Sequence, residues 1–216
     1  MKREVNLLEF YPKSKRPIDD RGNLVTEHDR AVARKFDVEY FDGDRLTGYG
    51  GYNYDARFWT DTVAYIKDFY KLTNNSKILD IGCAKGFMMH DLSLLIPNAE
   101  IKGIDISQYA KDHAINSMQN NITVANANNI PFPDGYFDLV IAINTLHNLP
   151  LIDCKQAFRE INRVAKQDSF VMNDAWRDEG GKDAMLKWNL TALTYMSCDE
   201  WKELFDAVSY THLTLP

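Results

Sequence analysis

The feature that most constrains this chain is a set of short apolar runs, each followed by a helix-length amphipathic stretch, from about Asp55 onward. Lys77–Ile81 (KILDI) and Phe137–Ile143 (FDLVIAI) read as strands buried on both faces. Glu100–Asp105, Ile122–Ala125 and Ser169–Asn173 read as three more. Apolar residues spaced three and four apart predict helices over Arg57–Lys71, Phe87–Leu95, Gln108–Met118, Asp153–Ala165, Met185–Tyr195 and Asp199–Val208. Strands that alternate with such helices form a parallel sheet covered on both faces. Right-handed crossovers make it a doubly wound, three-layer α/β sandwich. Ligands in such sheets bind beyond the carboxyl ends of the strands, where the strand order reverses. The residues to inspect are therefore 80–87, 105–107, 126–128, 144–148 and 173–177.

Residues 1–54 lack this alternation and are expected to form an N-terminal extension to a domain of residues 55–216. Thr26 and Asp29 have capping-box spacing, and Ala31, Val32 and Phe36 supply an apolar stripe for one short helix. Residues 40–55 (YFDGDRLTGYGGYNYD) hold four glycines and five Tyr or Phe, which marks an ordered loop. Tyr49, Tyr52 and Tyr54 are candidates for a lid over a ligand, with Arg57 at its base. The alternative is that these rings only cement the extension to the domain.

Charge narrows the partners. The chain holds 25 Lys and Arg against 31 Asp and Glu, a net −6, which argues against a nucleic-acid partner. The first 35 residues sum to +3 and the rest to −9. That asymmetry fits either a solvated surface or a site for an anionic group; the interleaved acids favour the surface. No apolar run is long enough for a membrane span or a signal peptide. Cys83, Cys154 and Cys198 are widely spaced and odd in number, so neither a disulfide framework nor a metal site is expected, and a reducing cytoplasmic setting is. Nothing in the sequence specifies an oligomeric state.

The first strand runs into Asp80-Ile81-Gly82-Cys83-Ala84-Lys85-Gly86. Its glycines permit a tight turn and close approach to a ligand. A dinucleotide fingerprint, G-x-G-x-x-G, fails at Ala84 and Phe87. The segment instead resembles motif I, [DE]-x-G-x-G-x-G, of the class I S-adenosylmethionine-dependent methyltransferases, with Ala84 in place of the middle glycine. Residues 126–149 (NANNIPFPDGYFDLVIAINTLHNL) resemble the stretch GDAxxLPFPDxSFDxVxxxxxLHHL of the methyltransferase type 11 group. The resemblance covers about residues 55–207. It implies a Rossmann-like seven-stranded sheet of order 3-2-1-4-5-7-6 with the seventh strand antiparallel. It also implies a cofactor pocket of Asp80, Gly82, Cys83 and Gly86 at the first turn, with Asp105 and Ile106 at the second strand. Asn126, Ala127 and Asn144 complete it. Asp105 would hold the ribose hydroxyls through its two acceptor oxygens. Asn126, where an aspartate is usual, would accept from the adenine amino group. The cofactor so implied is S-adenosylmethionine.

A sulfonium makes its methyl carbon electrophilic, so the enzyme's work is to place a nucleophile in line and exclude water. The expected reaction is methyl transfer to an O or N atom of a small-molecule acceptor. His147 is the candidate general base; its other reading is a histidine that braces its own loop. Trp176 and Arg177, after the fifth strand, are candidates for the acceptor pocket or for an ordinary surface loop. Trp188 and Tyr195 either help close the pocket or belong to the core. Cys83 is expected to pack, not to react. Rival readings are a non-catalytic S-adenosylmethionine-binding protein and a nicotinamide-dependent oxidoreductase. After the last helix only SYTHLTLP remains, too short for the final hairpin, and VSYTHLTLP resembles a translated sequencing adapter. The hairpin is therefore expected to be missing and residues 208–216 to be non-native.

Overall fold

A computed structural model describes residues 4–13 and 18–208. Five strands form one sheet: β1 (Lys77–Ile81), β2 (Glu100–Asp105), β3 (Ile122–Val124), β4 (Phe137–Ile143) and β5 (Ala165–Met172). Their order is β3-β2-β1-β4-β5, and every pairing is parallel. The order reverses beside β1, so the carboxyl ends of β1, β2 and β4 share one crevice. The expectation of a missing hairpin falls on residues 209–216, which lie outside the described residues; Val208 is buried.

Period-2 alternation sorts each strand between two cores. Leu79, Ile81, Val140, Ala142 and Val171 face α7 (Leu151–Val164) and α9 (Cys198–Ala207), where Phe158, Trp201 and Phe205 pack. Ile78, Leu139, Ile141 and Phe170 face the other way. There α4 (Ala56–Tyr70) brings Val63 and Ile66, and α5 (Phe87–Leu95) brings Met89 and Leu92. Leu7, from the start of the chain, is fully buried in this second core.

Three expected boundaries move, each for a local reason. The helix expected over Gln108–Met118 is only α6 (Gln108–Asp112), because the Ile115 N–H turns away to bond the Lys85 carbonyl at 2.9 Å. The fifth strand begins at Ala165 instead of Ser169; its first residues are polar and largely exposed, which hid them from an apolar reading. The helix expected over Met185–Tyr195 is α8 (Glu179–Trp188). It stops where the Asn189 Oδ1 accepts from the Thr191 and Ala192 amides at 3.0 and 2.7 Å, closing a side-chain-capped turn.

The extension holds three short helices where one was expected: α1 (Ile18–Gly22), α2 (Glu27–Ala33) and α3 (Val38–Phe41). The capping box at Thr26 and Asp29 opens α2, each side chain accepting the other's amide. α1 lies against α8, with the Arg21 guanidinium 4.7 Å from the Trp188 ring centroid and Lys187 paired to Asp19 at 3.3 Å.

Candidate functional site

The turn after β1 is built on left-handed backbone. Gly82 has φ 74° and Gly86, the N-cap of α5, has φ 78°. A Cβ on Gly82 would overlap the Thr145 side chain, whose hydroxyl is bonded to the Ile81 and Ile143 carbonyls at 3.1 Å. Glycine is thus required there by both conformation and space. Ala84 also sits left-handed, at φ 49°, which is the conformation that explains glycine at the middle position of the motif. Asn144 adopts φ 53° after β4, tolerable for asparagine, and its N–H bonds the Met172 carbonyl at 2.8 Å.

Asp105 stitches this turn to the end of β2. One carboxylate oxygen accepts the Ala84 N–H and the other the Ser107 N–H, both at 2.8 Å. Burial raises its pKa, and these amide bonds hold part of the rise back. Each oxygen keeps acceptor capacity for a ligand. Asp80, only 6% exposed, has no hydrogen-bond partner among the described residues. Burial, and next the Asp105 charge, push its carboxyl up to about 8. Cys83 is buried beside Gly103, and burial pushes its thiol well above the ordinary range, as suits a packing residue.

One cavity of about 870 Å³ opens over these strand ends. Of the nine cofactor positions read from the sequence, all but Gly86 line it. Ile106 is half-exposed at its edge and Ala127 is buried. The Asn126 Oδ1 accepts the Asn128 N–H at 3.1 Å, so this side chain spends one lone pair on its own loop.

Residues 18–54 roof the cavity. Tyr49 and Tyr52 line it, and their rings stand 4.6 Å apart by centroid. The roof is tied to the floor by Lys85, inside the glycine turn and only 5% exposed. Its Nζ donates to both Asp42 oxygens, at 2.8 and 2.7 Å, and to the Tyr52 carbonyl at 3.0 Å. The Tyr109 hydroxyl adds a bond to Asp42 at 2.7 Å. Burial disfavours the Asp42 carboxylate, but hydrogen bonds from Lys85, the Tyr52 amide and Tyr109 outweigh it and lower its pKa. Sequence reasoning missed this latch. The signal for it was a lysine placed where the turn packs against the domain, which demands a carboxylate from elsewhere.

His147 lines the cavity but is 2% exposed. Its Nδ1 takes the Asp174 N–H at 3.3 Å, its Nε2 faces the Asn189 amide at 3.4 Å, and its carbonyl accepts two amides from 193–194. Burial lowers its pKa against the opposing pull of the Asp174 carboxylate. The imidazole therefore braces the loops after β4, β5 and α8 as a neutral ring.

Four acceptor-site candidates stand apart from the cavity. The Tyr54 hydroxyl bonds Asp91 and its ring packs on Phe87 and His90, on the outer side of α5. Arg57 is exposed and paired with Asp55 at 2.8 Å. The Trp176 ring lies 5.6 Å from the Lys182 ammonium, and its carbonyl caps α9 through the Cys198 N–H. Arg177 pairs with Glu4 at 3.1 Å. All four lie outside the lining, engaged by Asp91, Asp55, Lys182 and Glu4. Trp188 does line the cavity, and Tyr195 does not. Among the described residues no cluster of His, Cys, Asp and Glu could hold a metal ion, and no helix is long and apolar enough to cross a membrane.

Comparison with known proteins agrees with this geometry. Residues 79–172 match a family model described as a methyltransferase domain. A malonyl-[acyl-carrier protein] O-methyltransferase of Legionella pneumophila is 30% identical over 134 residues, 60% of this chain and 46% of that one. A tRNA (carboxymethyluridine(34)-5-O)-methyltransferase of Arabidopsis thaliana is 30% identical over 145 residues, 66% of this chain and 33% of that one. The chain thus spans less than half the length of either relative. Among solved structures, the YcgJ protein of Bacillus subtilis superposes with a TM-score of 0.55 at 22% identity, over 68% of this chain and 66% of that one, a likeness of fold. The strand order, the turn built on Gly82 and Gly86, and the matched residues 79–172 together make this chain similar to methyltransferase domains from within β1 to the end of β5.

Proposed function

We propose that the chain transfers a methyl group from S-adenosylmethionine to an oxygen or nitrogen of a small-molecule acceptor. The observation that carries this is the pair Asp80 and Asp105, facing one cavity from the ends of β1 and β2 across the left-handed Gly82. The residues fit the cofactor. The Asp80 side chain is a buried carboxyl group without a hydrogen-bond partner among the described residues, so a bound cationic group would favour its ionised form. Gly82 holds the tight left-handed turn between the two carboxyl groups, with the Thr145 side chain packed where a Cβ would stand.

When bound, S-adenosylmethionine supplies a methyl carbon made electrophilic by its sulfonium. The chain's share is orientation and exclusion of water. Asp105 offers its remaining lone pairs to ligand hydroxyls, the roof of residues 18–54 shields the cavity, and neutral His147 fixes the loops that border it. Two facts support a small acceptor. The cavity's volume is within the range of small-ligand sites, roughly 300–1,000 Å³. Its roof comes from the same chain and is held down by Lys85. The names of both relatives specify an oxygen acceptor, which favours O-methylation here.

Calorimetric titration with S-adenosylmethionine, S-adenosylhomocysteine and NAD tests the reading. The first two should bind saturably at one site. Asp105→Asn should weaken them by about tenfold or more, the equivalent of one lost hydrogen bond to a charged acceptor. Binding of NAD alone, or of none of the three, overturns it.

A further inference from the structure

The cavity has two electrical faces. Its floor is acidic, with Asp80, Asp105 and Asp174 facing it from the strand ends. Its roof is basic: Arg21, Arg34, Lys35 and Arg45 line it, all from the extension. None of these three arginines has a carboxylate within ion-pair reach among the described residues, although the chain carries six more acids than bases. Arg21 reaches only the Gly48 carbonyl, at 3.5 Å, and lies over the Trp188 ring. Arg45 donates to the Tyr49 carbonyl at 2.8 Å. The Arg34 side chain makes no hydrogen bond among the described residues, and the Nε atoms of both Arg21 and Arg34 are buried without an acceptor.

Unpaired arginines on an open surface are ordinary, since water solvates them. Half-buried guanidiniums gathered in a cavity roof are not. Like charges at short range in a partly desolvated site repel unless an anion sits between them. The strain registers on Arg21, whose pKa falls through burial first and through Arg45 next.

We infer that this roof is an anion subsite, in which Arg21 and Arg34, with Arg45 and Lys35 at the rim, take a carboxylate or phosphate group of the methyl acceptor. Guanidinium forks suit both anions by geometry. Trp188 beneath Arg21 adds a flat apolar wall beside the charge. Charge then sorts the two ligands within one cavity: a cationic cofactor goes to the acidic floor and an anionic acceptor to the roof. The word acceptor rests on the methyltransferase reading; the anion subsite stands on the roof alone.

The test uses the full chain at low ionic strength, with inorganic phosphate and malonate as probes and S-adenosylhomocysteine titrated in parallel. Wild type should bind at least one probe saturably. Arg34→Gln, which removes no internal bond, should weaken it about fivefold or more, and Arg34→Lys should lose less than Arg34→Gln. Both should keep S-adenosylhomocysteine affinity within about twofold of wild type. Preference for phosphate or for malonate assigns the acceptor's group. Three results overturn the inference: no saturable anion binding, equal anion binding in Arg34→Gln, or a parallel loss of S-adenosylhomocysteine affinity, which would give the arginines to the cofactor. Anion binding without S-adenosylhomocysteine binding would overturn the methyltransferase reading and leave the subsite standing.

Discussion

The floor and the roof of the cavity are held by different kinds of force. The floor is made of backbone: strand ends, two left-handed glycines, and a carboxylate that accepts neighbouring amides. The roof is made of side chains that reach across long sequence distances. Lys85 grips Asp42, Arg30 donates to the Asn189 and Leu186 carbonyls, and the Tyr40, Phe41, Tyr49 and Tyr52 rings pack on one another. A floor of this kind tolerates little change at each position but depends on few partners. A roof of this kind depends on every partner being present, so it is where the cavity can vary without unmaking its floor.

Three variants would break or sharpen that contrast, and the largest effect is expected at the latch. Lys85→Met should cost about 3 kcal/mol of unfolding free energy, because Asp42 and the Tyr52 carbonyl lose a common donor that is itself buried. The same variant should expose the roof to limited proteolysis before the domain is cut. Stability and cleavage pattern identical to wild type would mean that the roof is held without the latch.

Asp80 probes the floor through pH. Its folded pKa, about 8, lies above its ordinary 3.8, so the folded state keeps a proton that the unfolded chain releases. Stability of the ligand-free protein should therefore fall as pH rises from about 4 to 8 and level off above. Asp105, also raised by burial, shares that fall, so Asp80→Asn should reduce it and gain on the order of 2 kcal/mol at pH 8, while weakening binding of a cationic ligand. Denaturant titrations of both proteins across this range check it; parallel curves would show that Asp80 carries no buried charge.

The smallest effect is expected at Ala84. Alanine at φ 49° costs more than glycine would, and the flexibility of unfolded glycine offsets part of that. Ala84→Gly should stabilise by about 0.5–1 kcal/mol, read as a rise of a few degrees in Tm. A lower Tm would mean that the alanine methyl packs usefully in the turn.

Most of the floor was legible in the sequence because its determinants are contiguous. KILDI followed by Asp80–Gly86 sets a buried strand and a tight turn within ten residues, and Asp105 ends the next strand. The roof was legible only as composition. The tyrosines of residues 40–54 marked an ordered loop, yet of the three lid candidates Tyr49 and Tyr52 line the cavity while Tyr54 turns outward to Asp91. Likewise Arg57, Trp176 and Arg177 carry suitable chemistry, but Asp55, the α9 cap and Glu4 claim them. The chain's positive start looked like a solvated surface, since its acids and bases alternate. In the structure Asp19 and Glu27 pair with Lys187 and Arg30, and this leaves Arg21 and Arg34 without a carboxylate among the described residues.

By itself the sequence determined the parallel α/β sheet, the crevice at the end of β1 and the identity of its acidic and glycine residues. Periodicity and turn conformation are local properties, and they act whatever the rest of the chain does. Only the tertiary structure decided which cations are paired and which face the cavity, that Lys85 latches the roof, and that His147 is a buried brace. Those outcomes depend on distances between residues far apart in the chain, and burial converts such distances into charge, hydrogen bonding and shape.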